Sequence, residues 1–411
     1  MPRDYDTEES PDRGLRTLAV LVVLAFAACV GMGGWLLWLH RDVSVSVNGT
    51  QVDIMYHSSF DEACEAAGVV PMSGDLYSIT GNLVQAGGGG PYEVTLDGSP
   101  LTQEQLGAVE VRGGESFVVT NGADITEDSE VVERVVAPKL VPAAGLRAVT
   151  FVRQWGVAGL SRVRVGAVSG EEELVEVLQE PQDCVLDSVN PVPSDGRKLV
   201  CITFDDGPSA YTPQILEILA EKDARATFFV VGTGIAARPD DVRAIQASGS
   251  EVMSHTMSHQ NNYAISSDET YQEVSGAFDL LSDLGIKTSV IRPPYGNWNA
   301  LCWRSSRGTM SASVIWNIDS MDWSLPGADA IVANCTTNID SGDIILMHDG
   351  GGNRAQDVEA LPRIIDELHE QGFELVTLSE LMDSDDRIPD EVARQYAPMP
   401  EGCAWPTEVA S

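Results

Sequence analysis

The chain has 411 residues, with 25 basic and 62 acidic side chains and a formal charge of −37. That length allows two or three domains with cores of their own. The excess of acid argues against nucleic acid and anionic membrane surfaces as partners and leaves neutral or cationic substrates open.

Residues 1–17 read as a short cytoplasmic tail, acidic from Asp4 to Asp12. Leu18 to Leu39 is a run of 22 residues without a charge, long enough to cross a bilayer. Arg13 and Arg16 before it bias the N-terminus toward the cytoplasm. The apolar run continues through Trp35 to Leu39. This favours an anchor over a signal peptide cut near Ala25, Ala27 and Ala28, or over lipidation at Cys29. Residues 43–140 give short β-like pieces (VSVSV, YEVTL, SFVVT) broken by glycines, and read as a β-rich accessory domain. Residues 141–194 read as a further β-rich module and linker, ending in NPVPSDG, Asn190–Gly196. Gly87–Gly90 lacks the Lys-Ser/Thr of a phosphate-binding loop. His57 stands alone. The seven cysteines have no metal-binding spacing; disulfides are permitted outside the membrane, and Cys201 reads as a small buried hydrophobe.

From Lys198 the pattern changes. An apolar run, Leu199–Phe204, is followed by helix-like 214–221, strand-like 226–231, helix-like 239–248, the strand entering SEVMSH, and a long amphipathic helix over 268–284. TSVIRPP, SVIWNID and DIILMHD continue as strands, then a helix over 358–370 and a final strand, FELVTL. Strand–helix repetition implies a parallel sheet covered by helices. The predicted fold class is α/β, a distorted or partly closed (β/α) barrel over 195–385. The charged, proline-rich residues 386–411 form a C-terminal tail predicted to lie outside the core.

Chemistry gathers at the strand ends, where parallel α/β folds place it. Asp205 and Asp206 end the first strand, and adjacent carboxylates there need a neutralising partner such as a divalent metal. His255 and His259 in HTMSH follow another strand at a spacing that puts both rings on one side of a turn. With Asp206 they supply two imidazoles and a carboxylate, a catalytic donor set suited to Zn2+, with Co2+, Ni2+ or Mn2+ as alternatives. Arg292 can pair with a carboxylate, Asp319 and Asp322 end a further strand, Trp323 can wall a groove, and His348 and Asp349 close the last of these strands.

TFDDGPS, HTMSH, RPPYG, DSMDW and ILMH, in this order, resemble the five motifs of the polysaccharide deacetylase family, the NodB homology domain of carbohydrate esterase family 4. The match covers residues 195–385, and its closest flavour is that of membrane-anchored bacterial peptidoglycan N-acetylglucosamine deacetylases. The resemblance implies Asp205 as general base, Asp206, His255 and His259 as metal ligands, and His348 as general acid tuned by Asp322. It implies Arg292 holding Asp205, the Tyr295 N–H facing the oxyanion, and Trp323 with Leu346 lining the pocket for the acetyl methyl. The expectation is a single-pass membrane protein with its catalytic domain outside the cell. It would remove N-acetyl groups from a cell-wall glycan, with no nucleic-acid partner. O-acetyl ester or other acetylated-polysaccharide substrates, and a non-catalytic wall-binding scaffold, are the alternatives.

Overall fold

Leu199–Asp205 is an unbroken run of seven buried residues, and its two faces set the layers around it. In the computed structural model, Val200, Ile202 and Phe204 face one apolar cluster, while Leu199 and Cys201 face another. This is the period-two alternation of a strand buried on both sides. The structure describes residues 12–410, with side chains from Thr17 onward. The acidic tail expected over 4–12 therefore lies outside the described residues, apart from Asp12, where the first helix begins.

The chain divides into two compact units. The first contains residues 1–132 and 163–175. Its helix Asp12–Leu39 includes a stretch, Thr17–Leu39, with mean hydropathy 2.4 and no buried share, long and apolar enough to cross a membrane. After it, Asp42–Val47 pairs with Thr50–Met55 in an antiparallel hairpin and with Ser116–Thr120 in parallel. Glu93–Leu96 and Ser99–Leu101 complete a five-stranded sheet. Val45, Val47, Phe60 and Phe117 fill its core. The helix Phe60–Ala67, not anticipated from the sequence, is fixed by a capping box in which Ser59 and Glu62 satisfy each other's backbone N–H groups.

The second unit contains residues 133–162 and 176–411. Its sheet uses β1 (Lys139–Val141), β2 (Val149–Gln154), β3 (Cys184–Val189), β4 (Leu199–Asp205), β5 (Thr227–Val230), β6 (Glu251–Ser254), β7 (Val290–Ile291), β8 (Ala312–Val314), β9 (Ile318–Asp319), β10 (Ile344–His348), β11 (Glu374–Leu375) and β12 (Glu408–Val409). The order is β9-β10-β4-β5-β6-β7-β8-β2-β3-β1-β12, with β11 beside the start of β4. The stretch from β9 to β8 is parallel, as the strand–helix alternation requires. The sheet is barrel-like but unclosed, since its two ends, β9 and β12, do not pair.

Two features depart from the reading of the sequence. β2 pairs antiparallel with β8, and β3 with β2, so these two strands of the stretch read as a β-rich module over 141–194 extend the α/β sheet, while Gly159–Gly166 and Glu172–Gln179 form a separate three-stranded sheet with Ser129–Val136. Residues 386–411 do not lie outside the core: Ile388, Val392 and Ala393 belong to the same buried cluster as Leu199 and Phe229, and β12 pairs with β1. Their apolar side chains are few and sit among charges, which hides them from a compositional reading, yet burial of each large one contributes about 1.5–3 kcal/mol.

Parallel register brings the strand ends level. Asp205 lies opposite His348 across β4 and β10. Ser254 lies opposite Ile291 across β6 and β7, so His255 and Arg292 leave the sheet side by side.

Candidate active site

Asp205 is the last residue of β4 and is almost fully buried. Its Oδ1 accepts a 2.7 Å bond from Arg292 Nη1. Arg292 is itself completely buried, and the same Nη1 donates to Thr203 Oγ1 at 2.6 Å. Its remaining nitrogens donate to the Val314 and Ile315 carbonyls. The guanidinium stacks 4.0 Å over the ring of Phe229. An Arg held on every side in this way is a fixed positive charge. Burial pushes the Asp205 carboxyl up, and Arg292 pulls it back toward the ionised form.

Asp206 turns the other way. Its φ of 71° is left-handed, and its Oδ1 lies 3.2 Å from His259 Nε2 and 3.5 Å from His255 Nε2. The ligand atoms of Asp206, His255 and His259 all lie within 4.8 Å of one another. His255 Nδ1 donates to the Arg292 carbonyl at 2.7 Å, which leaves Nε2 with its lone pair free. Burial pushes His255 down to about 3, so its ring is neutral, the form that ligates metals. Asp206 Oδ1 is buried without a hydrogen-bond partner among the described residues. An orphaned carboxylate oxygen aimed at two imidazole nitrogens fits a divalent cation, and the mixed N/O set is one such cations accept.

On the opposite wall, His348 ends β10. Its Nδ1 donates to Asp322 Oδ1 at 2.7 Å, and its backbone N–H donates to Asp322 Oδ2 at 2.7 Å. Asp322 is completely buried. Burial pushes the His348 ring down, but the Asp322 hydrogen bond and charge outweigh it and raise it above the usual histidine range.

These groups line one cavity of about 480 Å³, together with Tyr295, Trp323 and Leu346. The ten residues to which the resemblance gives roles are thus at or directly behind one site, and Asp319 lines it too. Arg292 and Asp322 are the two set behind the wall. Tyr295 has φ 61° and its ring meets His259 edge-on, with centroids 4.8 Å apart. Asp206, Thr256, His259, Tyr295 and Met321 all hold left-handed φ without being glycine, and such strain gathers where structure is set for function. The sequence reading missed Trp316 and Arg354, which also line the cavity, and the buried carboxyl Asp357; it named Asp349, also buried, but gave it no role. Asp349 follows His348 in DIILMHD, and its position at a strand end was the available signal. Arg354 and Asp357 had none.

The polysaccharide deacetylase family model matches residues 193–309. A peptidoglycan-N-acetylglucosamine deacetylase of Bacillus cereus is 36% identical over 191 residues, covering 46% of this chain and 90% of that one. A chitooligosaccharide deacetylase of Sinorhizobium fredii is 38% identical over 203 residues, covering 46% of this chain and 94% of that one. A solved structure of a peptidoglycan deacetylase from Bacillus subtilis has 31% identity and a TM-score of 0.44, covering 49% of this chain and 98% of that one. With nearly the whole length of the Bacillus cereus and Sinorhizobium relatives matched and the metal-donor set in place, this chain belongs to the polysaccharide deacetylase (NodB homology, carbohydrate esterase family 4) family and is a metal-dependent hydrolase that deacetylates an acetylated glycan.

Proposed function

We propose that the chain removes N-acetyl groups from N-acetylglucosamine residues of peptidoglycan, releasing acetate, while anchored to the cell membrane by residues 18–39 with its α/β unit outside. The observation that carries the chemistry is the meeting, in one cavity, of the Asp206–His255–His259 donor set with Asp205 on one side and His348 on the other. The wall-glycan substrate is supported by the membrane-length apolar helix and by the Bacillus cereus relative.

An amide carbonyl is a poor electrophile; Asp206, His255 and His259 would hold a divalent cation, Zn2+ by preference, which would supply Lewis acidity to the acetyl carbonyl and acidify the attacking water. Asp205, whose anion Arg292 favours against burial, takes the proton of that water as general base. The Tyr295 N–H donates to the oxygen on which negative charge develops, a contact most useful in the transition state. His348, held protonated by Asp322, donates to the departing amine nitrogen so that the C–N bond can break. Trp323 and Leu346 enclose the acetyl methyl.

The test is acetate release by the full-length chain from purified peptidoglycan, N-acetylglucosamine oligomers and acetylated xylan, with and without chelator and added zinc. Release from peptidoglycan that Asp205→Ala abolishes supports the proposal. Release from acetylated xylan alone would move the reading to an O-acetyl esterase. No release from any of the three, by folded and metal-loaded protein, would sink it.

A further inference from the structure

Asp357 sits in the first turn of helix Ala355–Glu370 and is completely buried. Neither of its carboxyl oxygens finds an N–H or O–H donor among the described residues. What it does meet, within hydrogen-bonding reach, is the carboxyl of Asp322. Each oxygen of that carboxyl accepts one bond from His348 and keeps a second lone pair for another donor. Two bare carboxylates in contact at this depth would repel with no water to screen them, and Asp357 would be an unpaired buried charge. One proton between them removes both penalties. It belongs on Asp357, because Asp322 has two donors that favour its anion and Asp357 has none.

The surrounding charges agree. Arg354, buried and just ahead of the helix, faces both carboxyls. Cys335 from helix Ala328–Thr336 also faces both, and Asp205 faces Asp322. Burial and the neighbouring Asp322 push the Asp357 carboxyl well above the usual carboxylate range. Burial would raise Asp322 too, but its hydrogen bonds from His348 and Asp357 hold it below the usual carboxylate range.

We propose that Asp357 is a positioning residue for the proton donor: a neutral carboxylic acid whose O–H donates to Asp322, fixing that carboxylate's orientation and limiting the negative charge it presents to His348. This rests on the reading of His348 as general acid. The proton stays on Asp357 throughout, and no bond to it forms or breaks during turnover. Without that donor, Asp322 concentrates its charge on His348 and binds the His348 proton more tightly.

The test has two readouts on the full-length, metal-loaded chain in detergent. Infrared difference spectra at neutral pH, wild type minus Asp357→Asn, should show the carbonyl band of one protonated carboxyl lost in the variant. No such loss means Asp357 is ionised and overturns the proposal, whether or not the protein releases acetate. The second readout is the pH dependence of kcat. Asp357→Asn retains an N–H donor and should keep the wild-type alkaline limb, whereas Asp357→Leu should move that limb upward by about half a pH unit or more. An unmoved limb in a folded Asp357→Leu protein overturns the positioning role. If that variant does not fold, a limb displaced in Asp357→Asn does so instead. Absence of acetate release from every glycan would refute the deacetylase reading, while the infrared result would still decide where the proton sits.

Discussion

Replacing Arg292 with Met would leave an apolar side chain beside Phe229, in place of the guanidinium over its ring, and remove the charge beside Asp205. Arg292 touches Asp205 at 2.7 Å and is wholly shielded from water. A contact of this kind lowers a carboxyl by about 1–3 pH units, or about 1.4–4 kcal/mol between its two protonation states. Burial already pushes Asp205 upward, so losing the guanidinium leaves mainly the His348 charge to oppose it. The base must be ionised to accept the water proton, and activity rises with pH as it deprotonates. The acid limb of the kcat profile should therefore move up by about 1–3 units in Arg292→Met. Folding should suffer as well, because breaking a buried pair costs about 3–5 kcal/mol, although protonation of Asp205 relieves part of that. Arg292→Lys should recover some of the shift but not the bonds to the Val314 and Ile315 carbonyls. The assay is acetate release from an N-acetylglucosamine oligomer between acid and neutral pH at saturating metal, with a thermal melt to establish folding. A folded Arg292→Met protein with the wild-type acid limb would refute the argument that this ion pair keeps Asp205 ionised.

Three further outcomes follow from the same geometry. His259→Ala removes one of three donors and should weaken zinc binding, read by calorimetry, by 10-fold or more, with acetate release falling alongside. Gly207→Ala would put a Cβ 2.2 Å from Asp349 Oδ2 and should lower stability by about 1–3 kcal/mol or more. Gly145→Ala, with nothing within 4 Å, should change the melt little. Asp349 is completely buried, accepts a bond from Thr212, and is pushed by burial up to about 7 from an ordinary 3.8. The folded state then holds a proton that the unfolded chain has released. The contribution is present in full below about pH 4 and is lost as pH rises to about 7, on the order of 4 kcal/mol. Asp349→Asn should flatten that slope in urea melts taken at several pH values, and an unchanged slope would show that another group causes it.

Much of the site was legible because the chemistry sits where strands end. A run such as Leu199–Phe204 must be buried, and the two aspartates that stop it must be partnered. HTMSH carries its own spacing. Less legible was what long-range pairing decides. The pattern of β2 records that it is half buried but not that its partner is β8, some 160 residues later, so 141–194 read as a module of its own. Helix Ala328–Thr336 went unread because it is short and its buried face, Ile331, Val332 and Cys335, is mixed with small and polar residues. Arg354 and Asp357 precede and open a helix among ordinary surface-like letters. Only the fold turns them inward, toward Asp322.

On the proposed mechanism, the two aspartates take opposite duties through local backbone although their side chains are identical. Adjacent residues on a strand point to opposite faces, so an extended Asp205–Asp206 pair could not serve one cavity. The strand ends at Asp205, and the left-handed φ of Asp206 redirects the second carboxylate, so that both line the same space. His255 Nε2 then lies 3.7 Å from Asp205 Oδ2 and 3.5 Å from Asp206 Oδ1. Distance to the donor set alone does not separate them. What does is the rest of their surroundings: Asp205 has a fixed guanidinium on its other oxygen, whereas Asp206 Oδ1 has no donor. The carboxylate already satisfied by Arg292 can stay anionic with an oxygen to spare for a proton. The unsatisfied one requires a cation. Any change that gave Asp206 Oδ1 a donor of its own would therefore weaken the metal site without touching a histidine.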